Sequence, residues 1–355
     1  MIEMHRLLDL CVEQNCSDLH ITVGRSPVFR RNGRLRDLNS EPLTNDDTIA
    51  LMKSITPPDK VRELEEVGGC DYAYAFQSKA RFRVAVYRQR RCIGMAMRLI
   101  PNELLTFDQI GLPESVRKLC SRPRGLILIT GPTGSGKTTT LASMIDHVNR
   151  TFDHHIVTIE DPIEYYHQHR KSVVTQRELG DDVMTFPEAM RRVLRMDPDV
   201  ILLGEMRDLE TIRTAITAAE TGHLVMATLH TTGSARTVDR IIDQFPPDQQ
   251  ETVRVQLSVS LVGVISQVLM PRTDREGRVA GFEVMVMTSA IENHIRKNET
   301  FKINSAIQTS RNLGMILLDD HLLDLYRQGV ISEAEMYLKS QNPRGLKDKL
   351  ERAGA

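Results

Sequence analysis

The stretch GPTGSGKTTT places Gly131, Gly136, Lys137 and Thr138 at the spacing G-x-x-x-x-G-K-[ST]. A triphosphate concentrates negative charge in a small volume. Glycines let backbone N–H groups turn inward with no Cβ in the way. A helix opening at Lys137 aims its positive dipole end at the same place. Gly131, Pro132, Thr133, Gly134, Ser135, Gly136, Lys137, Thr138 and Thr139 are therefore read as an ATP-binding loop. Lys137 adds a full charge near the β and γ phosphates, and the Thr138 hydroxyl is the expected Mg²⁺ ligand. A chance glycine-rich turn is the competing reading. The motif is full length, follows the apolar run Leu126 to Ile129 and opens a helical pattern, which is the context it needs.

Hydrolysis also needs a water aimed at the γ phosphorus and a group to orient or deprotonate it. The run VILLG, Val200 to Gly204, ends in Glu205, the expected catalytic base. Gly204 stands where a magnesium-holding Asp is common. A second acidic stretch, IVTIEDPIEY, offers Glu160, Asp161 and Glu164 as further water- or magnesium-orienting carboxylates, or as solvated acids at a strand end. In TGHLVMATLH, His223 and His230 flank one apolar run. Either they are hydrogen-bonded bystanders, or His230 senses the γ phosphate. Metal ligation has no third ligand nearby in sequence. In ARFRVAVYRQRR, Arg81 and Arg83 share one strand face, opposite Phe82, Val84 and Val86, while Arg88, Arg90 and Arg91 approach a turn. A solvated polar face is the alternative, and the preferred one for Arg90 and Arg91.

These residues need elements to position them. From about Glu114, the runs GLILITG, IVTIED, VVTQRE, DVILLGE and LVMATLH alternate with helical stretches. Strands apolar on both faces imply a parallel sheet covered by helices, an α/β core. Before it, a helix with Met4, Leu7, Leu8 and Cys11 on one stripe, the strand LHITV, a hairpin about Asn32-Gly33, a helix capped by Thr44 and the strands ARFRVAVYRQ and CIGMAMRLI make a smaller α+β domain. Thr56-Pro57-Pro58 is expected to stop the Thr44 helix. The expected boundaries are 1–100 for this domain, 101–113 for a linker with proline at both ends, and 114–355 for the core with a helical tail from about residue 288.

A length of 355 residues suits two domains, and 41% hydrophobic with 26% charged residues is ordinary for a globular chain. The net charge of −1 gives no general attraction to nucleic acid or anionic lipid. No run reaches the roughly 18 apolar residues of a membrane span. Leu257 to Met270 comes nearest, but Ser258, Ser260, Ser266 and Gln267 interrupt it. With no signal-peptide pattern, a cytoplasmic location is expected. Five cysteines without a CxxC pair argue against a disulfide framework or a tetrathiolate zinc site.

The motifs GPTGSGKTTT, IEDPIEY, DPDVILLGEMRDLETI and TAAETGHLVMATLHT, in that order, resemble the Walker A, Asp box, Walker B and His box of the secretion ATPase superfamily. SDLHI, ARFRV, SAIQT and LGM match as well, so the resemblance spans nearly the whole chain. It implies a RecA-like P-loop NTPase core with a PAS-like N-terminal domain. It implies Glu205 as base, Glu164 as a supporting carboxylate, His223 and His230 as His-box members, and Arg81, Arg83 and Arg88 as nucleotide contacts from the N-terminal domain. The chain is similar to the type IV pilus retraction branch. The assembly branch usually carries a four-cysteine zinc insert, whereas no cysteine follows Cys120, and it tends to have extra N-terminal domains. The segment AIENHIRK matches the retraction helix at Ala290, Ile291, Asn293, Ile295 and Arg296 and departs at Glu292, His294 and Lys297. A homohexamer acting on an inner-membrane pilus platform protein, and through it on pilin, is what the resemblance implies, at the cytoplasmic face of the inner membrane. A pilus-assembly or type II secretion ATPase is the alternative within the superfamily. A nucleic-acid translocase is the alternative of another class, for which 5% aromatics and no Trp offer no stacking platform.

Overall fold

The computed structural model describes residues 3–31, 34–77, 80–100 and 104–354. The chain forms two compact units: Met1–Glu103 with Pro162–Tyr166, and Leu104–Asp161 with His167–Ala355.

The first unit is built on a six-stranded sheet. Its strands are β1 (Asp18–Ile21), β2 (Val28–Arg31), β3 (Arg34–Asp37), β4 (Gly69–Phe76), β5 (Ala80–Gln89) and β6 (Cys92–Ile100), in the order β3-β2-β1-β6-β5-β4. Every neighbouring pair is antiparallel. Strand alternation puts Phe82, Val84 and Val86 of β5 in the core and leaves Arg83 exposed. Helix α1 (Met4–Glu13) buries Met4, Leu7, Leu8 and Cys11 against that core. Each fully buried leucine contributes on the order of 2 kcal/mol of transfer free energy. Thr44 starts α2 (Asn45–Lys53) with a reciprocal cap: its hydroxyl accepts the Asp47 N–H, and the Asp47 carboxylate accepts the Thr44 N–H.

The Thr44 helix ends before Thr56-Pro57-Pro58 as expected, and two elements add to the expected set. The prolines after α2 also begin α3 (Pro58–Val67), because proline at the first helical position lacks only an N–H that would be unpaired anyway. Strand β4 carried no signal, since Gly69, Asp71, Ala73 and Ala75 are poor strand formers. The Asn32-Gly33 turn lies outside the described residues, although β2 and β3 pair beside it through Arg31 and Arg34.

The second unit holds a seven-stranded sheet. Its strands are β7 (Gly125–Thr130), β8 (His155–Glu160), β9 (Val173–Glu178), β10 (Val200–Leu203), β11 (Leu224–Leu229), β12 (Leu261–Pro271) and β13 (Arg278–Val286). The order is β13-β12-β7-β11-β10-β8-β9, with only the β12/β13 pair antiparallel. All residues of β7 and of β11 are buried, as the apolar runs require. The covering helices are α4 (Phe107–Ile110), α5 (Glu114–Leu119), α6 (Lys137–Thr151), α7 (Phe186–Val193), α8 (Leu209–Glu220), α9 (Ser234–Ile242), α10 (Gln250–Ser260), α11 (Ser289–Arg296), α12 (Ile303–Thr309), α13 (Leu318–Arg327), α14 (Glu333–Lys339) and α15 (Pro343–Gly354).

Of the expected linker, Pro101 to Glu103 lie outside the described residues. Leu104 to Pro113 belongs to the second unit and contains α4, with Phe107 buried and the Ser143 hydroxyl bonded to the Leu105 carbonyl. The stretch Leu257–Met270 is divided between the end of α10 and β12. Among the described residues no helix is long and apolar enough to cross a membrane.

Candidate nucleotide site

Parallel strands put their carboxyl ends on one edge of the sheet, and ligands of such sheets bind in the crevice outside that edge. Gly131 follows β7 directly, and the bend closes at Gly136, the residue before α6. Gly131 has φ 139° and Gly136 φ 90°. A Cβ on Gly131 would lie 2.2 Å from the Gln267 carbonyl oxygen. The bend is therefore glycine at that point because a neighbouring strand occupies the space.

Lys137 is 9% exposed. Its Nζ donates to the carbonyls of Gly131 (2.8 Å) and Pro132 (3.1 Å), and it makes no ion pair among the described residues. Burial pushes its pKa below the usual lysine value, and the Glu205 charge opposes that shift. The Ser135 and Thr140 hydroxyls and Gln267 Oε1 are buried without a partner. A buried cation resting on two carbonyls, beside unpaired hydroxyls and inward backbone, fits a polyphosphate. Thr138 sits half-buried in the first turn of α6. Its hydroxyl is the hard oxygen donor that suits Mg²⁺.

Glu205 lies just beyond β10, on the same sheet edge. Its Oε1 meets His230 Nε2 at 2.9 Å, and its Oε2 meets Arg207 Nη2 at 2.9 Å. Burial pushes the Glu205 carboxyl up, but the Arg207 hydrogen bond and the His230 and Arg207 charges outweigh it and hold the pKa below the ordinary value. Glu205 is thus ionised and aimed by two partners. Asp208, next to Arg207, accepts the Thr211 N–H at 2.8 Å and so starts α8. A cleft of about 350 Å³ opens here, lined by Glu205, Arg207, His230, Thr231, Arg240 and Gln244 among others.

Of the remaining expected site residues, His223 belongs to the second unit and Arg81, Arg83, Arg88 and Glu164 to the first. His223 precedes β11, whereas His230 follows it, so the two flank that strand. Six strand residues at about 3.3 Å each separate them by roughly 20 Å. His223 therefore sits at the opposite sheet edge, with Nδ1 3.0 Å from the Ala218 carbonyl, and does not join its own chain's phosphate loop. Glu164 lies in Pro162–Tyr166, which belongs to the first unit, and is half-buried. In that same unit the Arg81 guanidinium stacks 3.5 Å above the Tyr166 ring. Arg83 and Arg88 are exposed on β5. Glu160 is buried at the end of β8 and accepts from Thr158 (2.7 Å) and Gln176 (3.1 Å), the behaviour of a structural carboxylate.

Residues 4–338 match the Type II/IV secretion system protein family. The type IV pilus retraction ATPase PilT of Pseudomonas aeruginosa is 46% identical over 345 residues, covering 97% of this chain and 100% of that protein. A twitching motility protein of Neisseria gonorrhoeae is 43% identical over 321 residues, covering 90% and 86%. A crystal structure of the pilus retraction motor PilT with bound ADP aligns with a TM-score of 0.93 at 44% identity, covering 98% of this chain and 100% of that one. The chain belongs to the secretion ATPase family. It is a P-loop ATPase with a RecA-like core and an N-terminal α+β domain.

In this secretion ATPase Gln267, outside the motifs, and Gly204, within one, complete the site. Gln267 of β12 donates from Nε2 to the Ser135 carbonyl at 2.7 Å and braces the phosphate loop. Gly204 allows β8 to approach, since a Cβ there would stand 3.3 Å from Glu160 Cα. A side chain at Gly204 would be tight and would need the β8 backbone to give by a few tenths of an ångström. Gln267 had one signal in the sequence: it is polar, next to Ser266, inside an otherwise apolar run.

Proposed function

We propose that the chain is the subunit of a homohexameric motor that spends ATP to withdraw type IV pili, with Glu205 as the general base. The observation that carries this reading is an ionised Glu205 held between Arg207 and His230 on the sheet edge that also carries the Lys137 loop. Lys137 exchanges its two backbone carbonyls for β and γ phosphate oxygens. Glu205 orients the attacking water and accepts its proton. His230, hydrogen-bonded to Glu205, registers loss of the γ phosphate. Mg²⁺ on Thr138 and phosphate oxygens supplies charge neutralisation when bound.

Arg81, Arg83 and Arg88 reach nucleotide from the N-terminal domain, Glu164 supports the water, and His223 contributes from another subunit of the ring. Domain closure and release then do mechanical work. The motor acts at the cytoplasmic face of the inner membrane on a pilus platform protein, and through it on pilin. Near-full-length identity to a retraction ATPase and the lack of any cysteine after Cys120 support retraction over assembly.

The test is Glu205→Gln, assayed pure and in a host strain deleted for the gene. ATP binding is expected to persist while turnover falls about 10²-fold or more. The deletion strain should carry surplus, non-retracting pili and stay immotile with the Gln variant. Loss of pili on deletion would instead assign the chain to assembly. Undiminished turnover would mean that another group is the base.

A further inference from the structure

Glu283 is a charged side chain only 2% exposed, in the middle of β13. It takes no part in the site as described. Its Oε1 accepts the Ser234 N–H at 2.6 Å, at the first residue of α9. Directly across the β12/β13 ladder from Glu283 is Ser266, whose hydroxyl accepts the Gly233 N–H at 2.9 Å. The two cross-strand partners therefore grip two consecutive amides of one short loop. That loop starts at His230, the hydrogen-bond partner of Glu205. Its other end is tied internally, because the Thr237 hydroxyl donates to the Gly233 carbonyl at 2.8 Å and lies 2.7 Å from the Thr231 hydroxyl.

The second Glu283 oxygen faces the C-terminal helical segment. Gln341 Nε2 donates to Oε2 at 3.3 Å. Gln341 is itself held by α13, where the Asp319 carboxylate accepts the Gln341 N–H at 2.8 Å and the Asn342 N–H at 2.9 Å. The same Gln341 amide closes over Gly233, where a Cβ would come within 3.1 Å of it. Gly233 has φ 91°, the left-handed region that favours glycine.

We infer that Glu283 is a positioning residue for hydrolysis, fixing the His230 loop against Glu205, and that Gln341 makes this placement depend on the C-terminal helices. The inference rests on the proposed roles of Glu205 and His230. A buried carboxylate spent on one backbone amide at a helix start and one side-chain amide is costly unless those groups must be held in one place. Reorienting a catalytic partner by about 1 Å is enough to cost up to ~10²-fold in rate. Motion of α13 and α14 would reach Glu205 through Gln341, Glu283 and the loop, with no contact to nucleotide.

The experiment is a double-substitution cycle on the full-length assembled protein, with amide hydrogen exchange read over residues 230–235. Glu283→Ala should lower kcat about tenfold with little change in the KM for ATP. It should also speed exchange of the Ser234 amide. Glu283→Gln keeps an acceptor for Ser234 and should restore most of the rate. Combined with His230→Ala, Glu283→Ala should add almost nothing further, because both act through the same contact. Gln341→Ala, at an exposed residue, keeps the test alive if Glu283→Ala fails to fold. It should cost about two- to threefold in kcat and be equally non-additive with His230→Ala.

Additive losses, a folded Glu283→Ala with wild-type kcat, or unchanged exchange at Ser234 would overturn the inference. A rate loss from Glu283→Ala alongside an inert His230→Ala would also overturn it. Glu205→Gln separately decides whether the motor reading stands.

Discussion

The two sheets treat charge in opposite ways. In the second unit the central strands β7, β10 and β11 are buried on both faces, and the reactive polar groups collect at the carboxyl edge, where Gly131 to Thr138, Glu205 and His230 follow their strands. In the first unit only one face is packed. The other carries a charged row across the strands, Arg30, Asp18, Arg98 and Arg83, set by the pairings Asp18–Arg30, Asp18–Arg98 and Arg83–Arg98. Asp18 holds Arg98 at 3.0 Å and Arg30 at 3.5 Å. Arg83 faces Arg98 as a like charge, an arrangement that destabilises an antiparallel pair. A parallel sheet thus concentrates chemistry by topology alone, whereas an antiparallel sheet spreads it by register.

The sharpest way to break this contrast is to spoil the edge itself. Gly131→Ala puts a Cβ 2.2 Å from the Gln267 carbonyl oxygen, at a backbone φ of 139°. Either the loop or β12 must move, at a cost of roughly 2–4 kcal/mol. Nucleotide affinity should collapse, and the melting temperature of the second unit should drop with it. Titration with a fluorescent ADP analogue measures the first and calorimetry the second. Wild-type affinity in a folded Gly131→Ala would show that the cradle is softer than its geometry implies.

That same contrast explains what was legible beforehand. Five parallel strands, the phosphate loop and Glu205 could be read because buried strands leave continuous apolar runs and because loop chemistry sits just after them. Strand β12 was hidden because Ser266 and Gln267 interrupt its run, and these are the two residues that reach out to brace loops. Alternation along β5 placed Arg81 and Arg83 on one face but named no ligand for them, since an exposed arginine row reads the same with or without a partner. His223 and His230 flank one strand, so they occupy opposite edges of the sheet, a separation that the sequence order already implies. Glu283 carried no signal, because its partners are one backbone amide 49 residues away and a side-chain amide 58 residues away in sequence.

A middle-sized effect probes the antiparallel unit. Asp18→Asn keeps the shape of the side chain and removes the one negative charge between Arg30 and Arg98. Those arginine side chains are 37% and 72% exposed, so solvent screens much of the loss. A destabilisation of about 1 kcal/mol is expected, visible in urea melts and smaller in high salt. Affinity for ADP should change far less than in Gly131→Ala, any loss passing through Arg83 beside Arg98. If affinity for ADP falls as far as in Gly131→Ala, the charged row matters as much as the edge and the contrast between the units fails.

The smallest effect is confined to pH. Glu205 has a depressed pKa, so its carboxylate is available above that value and is lost as pH falls through it. Burial is the strongest influence on it and acts upward; Arg207 and His230 act downward, and the Lys137 charge lies nearby. Arg207→Ala leaves burial opposed mainly by His230, so the acid limb of the kcat profile should move to higher pH. The difference from wild type should therefore be greatest under acid conditions and shrink as pH rises, because both forms are then ionised. A profile displaced equally at every pH would mean that Arg207 aims Glu205 without tuning its charge. The edge would then owe its ionised base to His230, and position alone would be the contribution of the residue beside it.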